Sequence, residues 1–287
     1  MSNPNVELGS TDGARAVSRE FLAATAAAFR RLPARYRSRL MFLGSILIAF
    51  GSWQILSTYV FNPFLIPPPL EVFRTAVPMI ESGEIMRDVS ISMSRVLVGF
   101  VSGSIAAIAL GVLLGRVQLL NELLDPNIEL LRYLSPTAMI PIAVIWFGIG
   151  EMSKYFLIFW GTFFIVLINT IAGVMRAPLI RQRAAECLGA SRLQIFLLVV
   201  IPSSAPYIVT GMRIAMASSF MSIIPAEMLA ADSGIGYLLQ NSSMLLQTNR
   251  IFVALLTICL LGFAFDRVFR IIVDRMLSRY MSYIALT

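Results

Sequence analysis

Residues Arg183 to Pro202 read RAAECLGASRLQIFLLVVIP, a charged, helix-prone piece that meets a glycine at Gly189 and then runs through apolar residues to a proline. The stretch stands between two of the most apolar segments of a chain that is 57% hydrophobic and only 14% charged, with a mean hydropathy of +0.79. Composition of that kind belongs to a polytopic membrane protein and lies outside the soluble range. A loop that merely joined two spans would need no such pattern. Arg183 to Leu188 fits a short helix parallel to the membrane, and Gly189 ends it in the left-handed conformation or admits a close backbone. Pro202, which cannot continue a helix from its amide side, fits the first turn of the next span. The expected product is an exposed knob rigidly joined to that span.

Working outward, a hydrocarbon core of about 30 Å needs about 20 helical residues, and six segments qualify. They are Leu40 to Phe61, closed by Pro63 and the Pro67-Pro68-Pro69 cluster; Val96 to Gly115, entered past Arg95; Tyr133 to Gly150, short and interrupted by Pro136 and Pro141; Tyr155 to Met175, bounded by Lys154 and Arg176; Ser203 to about Ala231; and Ile251 to about Val273. The fold class is therefore all-α, with six transmembrane helices. The expected organisation is a basic tail over residues 1–39, a transmembrane domain over 40–280 with the loop of interest at about 176–202, and a short tail over 281–287.

Charge gives the orientation. Residues 1–39 carry Arg15, Arg19, Arg30, Arg31, Arg35, Arg37 and Arg39 against three acids, and no apolar run comes early enough for a signal peptide. Phe21, Ala24, Ala28, Phe29 and Leu32 recur at helical spacing beside those arginines, so Arg19 to Leu32 fits either a helix on an anionic leaflet or a solvated tail that only fixes topology. Arg176, Arg181, Arg183 and Arg192 crowd the loop of interest, and Arg267, Arg270, Arg275 and Arg279 the C-terminal segment, while residues 62–91 are net acidic. Basic segments stay in the cytoplasm, which puts both termini there.

Several chemistries are excluded. The chain has no histidine, the commonest general base and metal ligand. Its two cysteines, Cys187 and Cys259, lie far apart and suggest neither a disulfide framework nor a metal site. Its one lysine, Lys154, is followed by Tyr155, so no phosphate-binding Gly-Lys-Ser/Thr loop exists. Energy must come from a gradient or from another chain. Gly99 and Gly103, and again Gly111 and Gly115, have the small-xxx-small spacing of close helix contacts, which fits packing inside the bundle ahead of a subunit interface. Ser233 to Asn249 suits a short helix dipping into the outer surface.

At the opening stretch the chain resembles the inner-membrane permeases of binding-protein-dependent ABC importers. Their signature is Glu-Ala-Ala, then Gly, then an aliphatic residue and a Leu-Pro pair; Ala184-Ala185, Gly189, Val199 and Ile201-Pro202 occupy those positions here. The resemblance covers about residues 62–280 and is closest to the branch that imports taurine, other sulfonates and nitrate. It rests further on Leu123 to Asp125 with Pro126, IPIAVIWFGIG (140–150), SKYFLIF (153–159), AEML (226–229) and SGIGYLL (233–239). One departure stands out: the family's leading glutamate is Arg183 here, with Glu186 one helical turn on, near the same face.

The resemblance implies a type I ABC importer (MetI-like) permease fold in a bacterial inner membrane. It implies a homodimer with a second copy of this chain, a pair of cytoplasmic ABC ATPase subunits that hold ATP and magnesium, and a periplasmic or lipid-anchored substrate-binding protein. Membrane lipid is expected as a partner and nucleic acid is not; no cofactor, metal or catalytic residue is expected on this chain. In the family the knob is the coupling helix that docks on the ATPase, which here selects Arg183, Ala184, Ala185, Glu186, Gly189, Ile201 and Pro202.

Ionisable side chains inside spans are costly in lipid, so Arg213 and Glu227 are expected at a pathway or paired with neighbouring helices. Ser218, Ser219 and Ser222 before Pro225, and Asn169, fit either a polar lining or close helix packing. A gradient-driven carrier or channel is the alternative, but it calls for several intramembrane acids or matched broken helices, and Glu227 stands without them.

Overall fold

The computed structural model describes residues 34–284, so the amphipathic helix expected at Arg19 to Leu32 lies outside the described residues. The chain divides after Leu70, beside the proline cluster, into two compact units.

The first unit is built on α1, Ala34–Tyr59, which contains most of the first expected span and turns Leu47, Ile48 and Ile55 outward. It ends where Asn62 and Pro63 break the helical pattern: Asn62 Oδ1 accepts the N–H of Phe64 at 3.0 Å, and the Ser57 hydroxyl donates to the carbonyl of Ile66.

The second unit is built of helices joined by turns, with no strand among its described residues. After α2 (Pro69–Glu81) come α3 (Glu84–Arg116), α4 (Gln118–Leu131), α5 (Ile140–Phe147), α6 (Glu151–Met175), α7 (Leu179–Cys187), α8 (Arg192–Ile195), a π-helical turn (Phe196–Val200), α9 (Ile201–Ala230), α10 (Ile235–Met244) and α11 (Thr248–Ile284). Among the described residues four helical stretches are long and apolar enough to cross a membrane: Glu84–Arg116, Glu151–Met175, Arg192–Leu229 and Thr248–Val273. They correspond to the second, fourth, fifth and sixth expected spans.

Glycines set how these helices meet. A Cβ on Gly99 would fall 2.5 Å from Ile158, on Gly111 2.7 Å from Thr170 and on Gly115 2.6 Å from Val174, so the glycine stripe of α3 lies against α6. The stripe is thus internal packing, as its spacing suggested. Both numbers rise together, so α3 and α6 run parallel. Gly161 meets Ser222, Gly211 meets Asn169 and Gly173 meets Tyr207, which makes α9 antiparallel to α6. Phe100, Leu114, Phe164, Leu167 and Met216 fill the core between the three, with Phe265 and Phe269 of α11 packed against it.

The third expected span needs correction, since no continuous helix runs from Tyr133 to Gly150. Turns occupy residues 132–139, and only the eight residues Ile140–Phe147 are helical, about 12 Å and under half of a hydrocarbon core. Pro136 and Pro141 each remove an amide donor, and Gly148, at φ +75°, closes α5 with its N–H on the Val144 carbonyl. A crossing still exists. Because α3 and α6 lie side by side and parallel, the chain between Arg116 and Glu151 must return along the bundle.

Candidate functional site

Two ends of the bundle differ in chemistry. At the end where α3 and α6 finish stands the expected knob. Pro178 caps α7, which finishes with the hydrogen-bond pair of a Schellman turn: Ala190 N–H to Ala185 O at 3.0 Å and Gly189 N–H to Glu186 O at 2.9 Å. Gly189 takes φ +81°, the left-handed conformation that glycine adopts at no steric cost. Two residues on, Ser191 opens α8 with a capping box. Its hydroxyl accepts the Gln194 N–H at 3.3 Å, and the Gln194 side chain accepts the Ser191 N–H at 2.8 Å. The connection is therefore fastened on both sides of the glycine.

From α8 the chain passes into α9 without a break, so Pro202 sits in the first turn of α9 but not at the start of the helical run. The π turn explains how: Pro202 has no N–H for the Leu198 carbonyl, and the ladder widens just before it, with Ile201 N–H bonded to Phe196 O. Val200 packs with Val174 and Ala177, and the Arg116 guanidinium lies 4.5 Å over the Phe196 ring. The knob is thus anchored to the ends of α3 and α6. Its outer face is open: Arg183, Ala184, Glu186 and Gly189 are exposed, Ala185 is half-buried, and the Leu188 side chain is 87% exposed.

At the other end, where α3, α6 and α11 begin, charges are gathered, with Arg95, Lys154 and Glu227 buried and Glu151 half exposed. Arg95 donates from Nη1 to Glu227 Oε1 at 2.8 Å, and from Nε and Nη2 to the Glu151 carboxylate at 2.7 and 2.6 Å. Lys154 joins Glu151 at 3.0 Å. Glu227 also accepts from the Ser92 hydroxyl and from the Gly236 N–H at 2.9 Å, while Ser92 accepts the Ile235 N–H. Arg95 reaches the Ser233 carbonyl at 2.6 Å, and the Asp88 carboxylate accepts the Gly234 N–H at 3.0 Å. Two cations and three carboxylates tie α3, α6 and α9 to the turn before α10 and its first residues. Such pairing is what makes buried charge tolerable.

Sequence reasoning singled out Glu227 but treated Arg95 and Lys154 only as span boundaries and missed Ser92 and Glu151. Span counting held the signal, because it puts Arg95, Lys154 and Glu227 at one level of the membrane, and Ser92 lies one turn before Arg95.

The remaining candidates lie between the ends. Ser219 shares a 2.8 Å hydrogen bond with Thr162 of α6, Ser222 bonds back to the Ser218 carbonyl beside Gly161, and Asn169 donates to the Ile165 carbonyl where Gly211 crosses it. Asn169, Ser219 and Ser222 stand in the α6–α9 contact; Ser218 is half-buried near Pro136. Arg213 is half-exposed and pairs with Asp266 of α11 at 3.1 Å.

Residues 100–278 match the profile of a family described as binding-protein-dependent transport system inner membrane component. An ABC transporter permease protein of Methanocaldococcus jannaschii is 38% identical over 79% of this chain and 87% of its own length. The taurine transport system permease protein of Escherichia coli is 30% identical, over 83% of this chain and 90% of that one. A nitrate import permease protein of Synechocystis is 32% identical, over 78% and 84% respectively.

Proposed function

This chain belongs to the family of binding-protein-dependent transport system inner membrane components, and from that premise we propose that it imports a small polar or anionic solute of the taurine, sulfonate or nitrate kind as a homodimer. It is the permease component of an ABC importer and works with an ATPase and a binding protein. ATP and its magnesium ion are held by the ATPase, and this chain performs no covalent step. The solute class follows the names of its relatives, which are taurine and nitrate permeases.

One observation carries the coupling role. The knob formed by α7 is fastened by a Schellman turn and a capping box to a helical run of 38 residues, Arg192–Leu229, about 57 Å long. A push on α7 therefore moves a rod that reaches the charged cluster at the far end. Arg183, Ala184, Glu186 and the apolar Leu188 form the docking face, while Ala185, Ile201 and Pro202 hold the knob to the rod. Clusters of arginine at the knob end put it in the cytoplasm, with both termini.

The path of the solute runs past the turn at Ser135 to Ala138. Its backbone is irregular and its side chains largely exposed, and such backbone at membrane depth is tolerated only where it is buried in protein or lines water. Ser218, half-buried beside it across Gly161, supplies a hydroxyl for a solute that must not bind tightly, while Ser222 stays in the α6–α9 contact. Glu227 serves as the anchor of the charged end, held by Arg95, Ser92 and the Gly236 amide and so not free for ion coupling of the kind a gradient-driven carrier needs.

Cys187 is a natural probe, because it is exposed at the end of α7, whereas Cys259 lies within a membrane span. A membrane-impermeant maleimide should label Cys187 only in inside-out vesicles, and bound ATPase should protect it. Labelling from the opposite face, or labelling indifferent to the ATPase, overturns the reading.

A further inference from the structure

An open groove of about 700 Å³ runs between α9 and α11, bordered by Pro206, Val209, Arg213, Asp266, Phe269 and Arg270. Asp266 is shared by two guanidinium groups: Arg213 donates from Nε to Oδ1 at 3.1 Å, and Arg270 from Nε to Oδ2 at 2.9 Å. Among the described side chains of this group, one positive charge is left over. Arg213 is 46% and Arg270 44% exposed, so neither is sealed in protein. The terminal nitrogens of Arg213 make no hydrogen bond among the described residues.

Depth matters here. Arg213 lies 14 residues before Glu227, about 21 Å along α9, and Asp266 lies 18 residues after Thr248, about 27 Å along α11. Measured from the charged end, the group falls in the last third of a core about 30 Å thick, on the knob side. A guanidinium with free donors at that level needs an anion, because hydrocarbon offers it nothing.

We propose that the groove holds the phosphate headgroup of an anionic phospholipid from the leaflet on the knob side. The free fork of Arg213 matches two phosphate oxygens, a geometry that a guanidinium provides and an ammonium does not. Arg270 adds charge, and the apolar walls at Pro206, Val209 and Phe269 take the acyl chains. A groove of this volume is far larger than a free sulfonate or nitrate would fill, and basic pockets between spans on the cytoplasmic side suit lipid headgroups. Arg213 is accordingly a lipid contact, separate from the solute path at Ser135 to Ala138.

The test is native mass spectrometry of the full chain in mild detergent, titrated with phosphatidylglycerol or phosphatidylcholine, with and without millimolar ethanesulfonate. Phosphatidylglycerol should be preferred, and Arg213→Gln should weaken its retention about fivefold, the share of one arginine near a charged surface. Asp266→Asn removes the competing carboxylate and should tighten phosphatidylglycerol by about the same factor, a gain that is readable even where the arginine variant fails to fold. Arg132→Gln, which breaks an exposed pair with Glu129, should change nothing. Equal retention of the two lipids, or phosphatidylglycerol binding unmoved in both groove variants, overturns the proposal. Displacement of the lipid by ethanesulfonate would give the groove to the transported anion, and loss of the dimer in Arg213→Gln would give it to a second copy; either result also overturns it.

Discussion

Arg95 and Glu227, 132 residues apart in sequence, meet at 2.8 Å inside the bundle, with their side chains 2% and 1% exposed. Around them Ser92, Glu151 and the amides before α10 leave few hydrogen-bonding positions open. The carboxylate, which the sequence left between a pathway role and pairing with a neighbouring helix, is paired with Arg95 of α3.

Breaking that tie from one side should cost more than removing it. Arg95→Gln leaves the buried Glu227 carboxylate without its cation and should destabilise by about 3 to 5 kcal/mol, seen as a lower melting temperature in detergent; Glu227→Gln leaves Arg95 its pair with Glu151 and should cost less. Arg95→Leu combined with Glu227→Leu should recover part of the loss. A Glu227→Gln protein that melts like the parent yet no longer transports would return the residue to the pathway.

Gly234 should tolerate nothing larger. It sits at φ +114°, and an added Cβ would lie 2.5 Å from the Glu227 carboxyl, so Gly234→Ala combines backbone strain with a clash inside the charged cluster. Gly83 also has a positive φ, +76°, but has open space around it. Gly83→Ala should therefore cost about 1 to 2 kcal/mol from backbone strain alone, and Gly234→Ala clearly more. Equal melting temperatures for the two would mean that the turn before α10 is not packed against Glu227.

Ser191→Ala should uncouple without unfolding. Loss of the capping box costs about 1 kcal/mol, small against the whole bundle, but it loosens the joint between α7 and α8. Uptake in reconstituted vesicles should fall severalfold while the ATPase remains bound. Unchanged uptake would show that the joint need not be stiff.

Much of this was legible in the sequence because it rests on local chemistry. Gly189 and the apolar-proline element near Pro202 announced the knob, and the paired glycines of α3 announced its contact with α6. The third span misled because hydropathy counts apolar residues and not amides: Ile140 to Phe147 is apolar throughout, but Pro136, Pro141 and Gly148 leave only eight residues helical. The π turn escaped for a related reason, since its residues, FLLVV, read as ordinary helix and only the missing amide of Pro202 explains it. Long-range pairs such as Arg95 with Glu227 and Arg213 with Asp266 needed the helices to be placed side by side.

The central claim is that the knob at Gly189 is where the ATPase grips this chain. A Cβ added at that position would have no neighbouring atom within 4 Å, so Gly189→Arg disturbs little within the chain apart from the backbone at φ +81°. The measurement is co-purification of the tagged chain from its native membranes in mild detergent, with and without Gly189→Arg, followed by quantitative mass analysis. The account predicts a soluble ATPase recovered in equal proportion with the parent chain and lost from the variant, while the variant still inserts and dimerises. An ATPase retained by Gly189→Arg, or absent from the parent under conditions that keep the dimer, would contradict it.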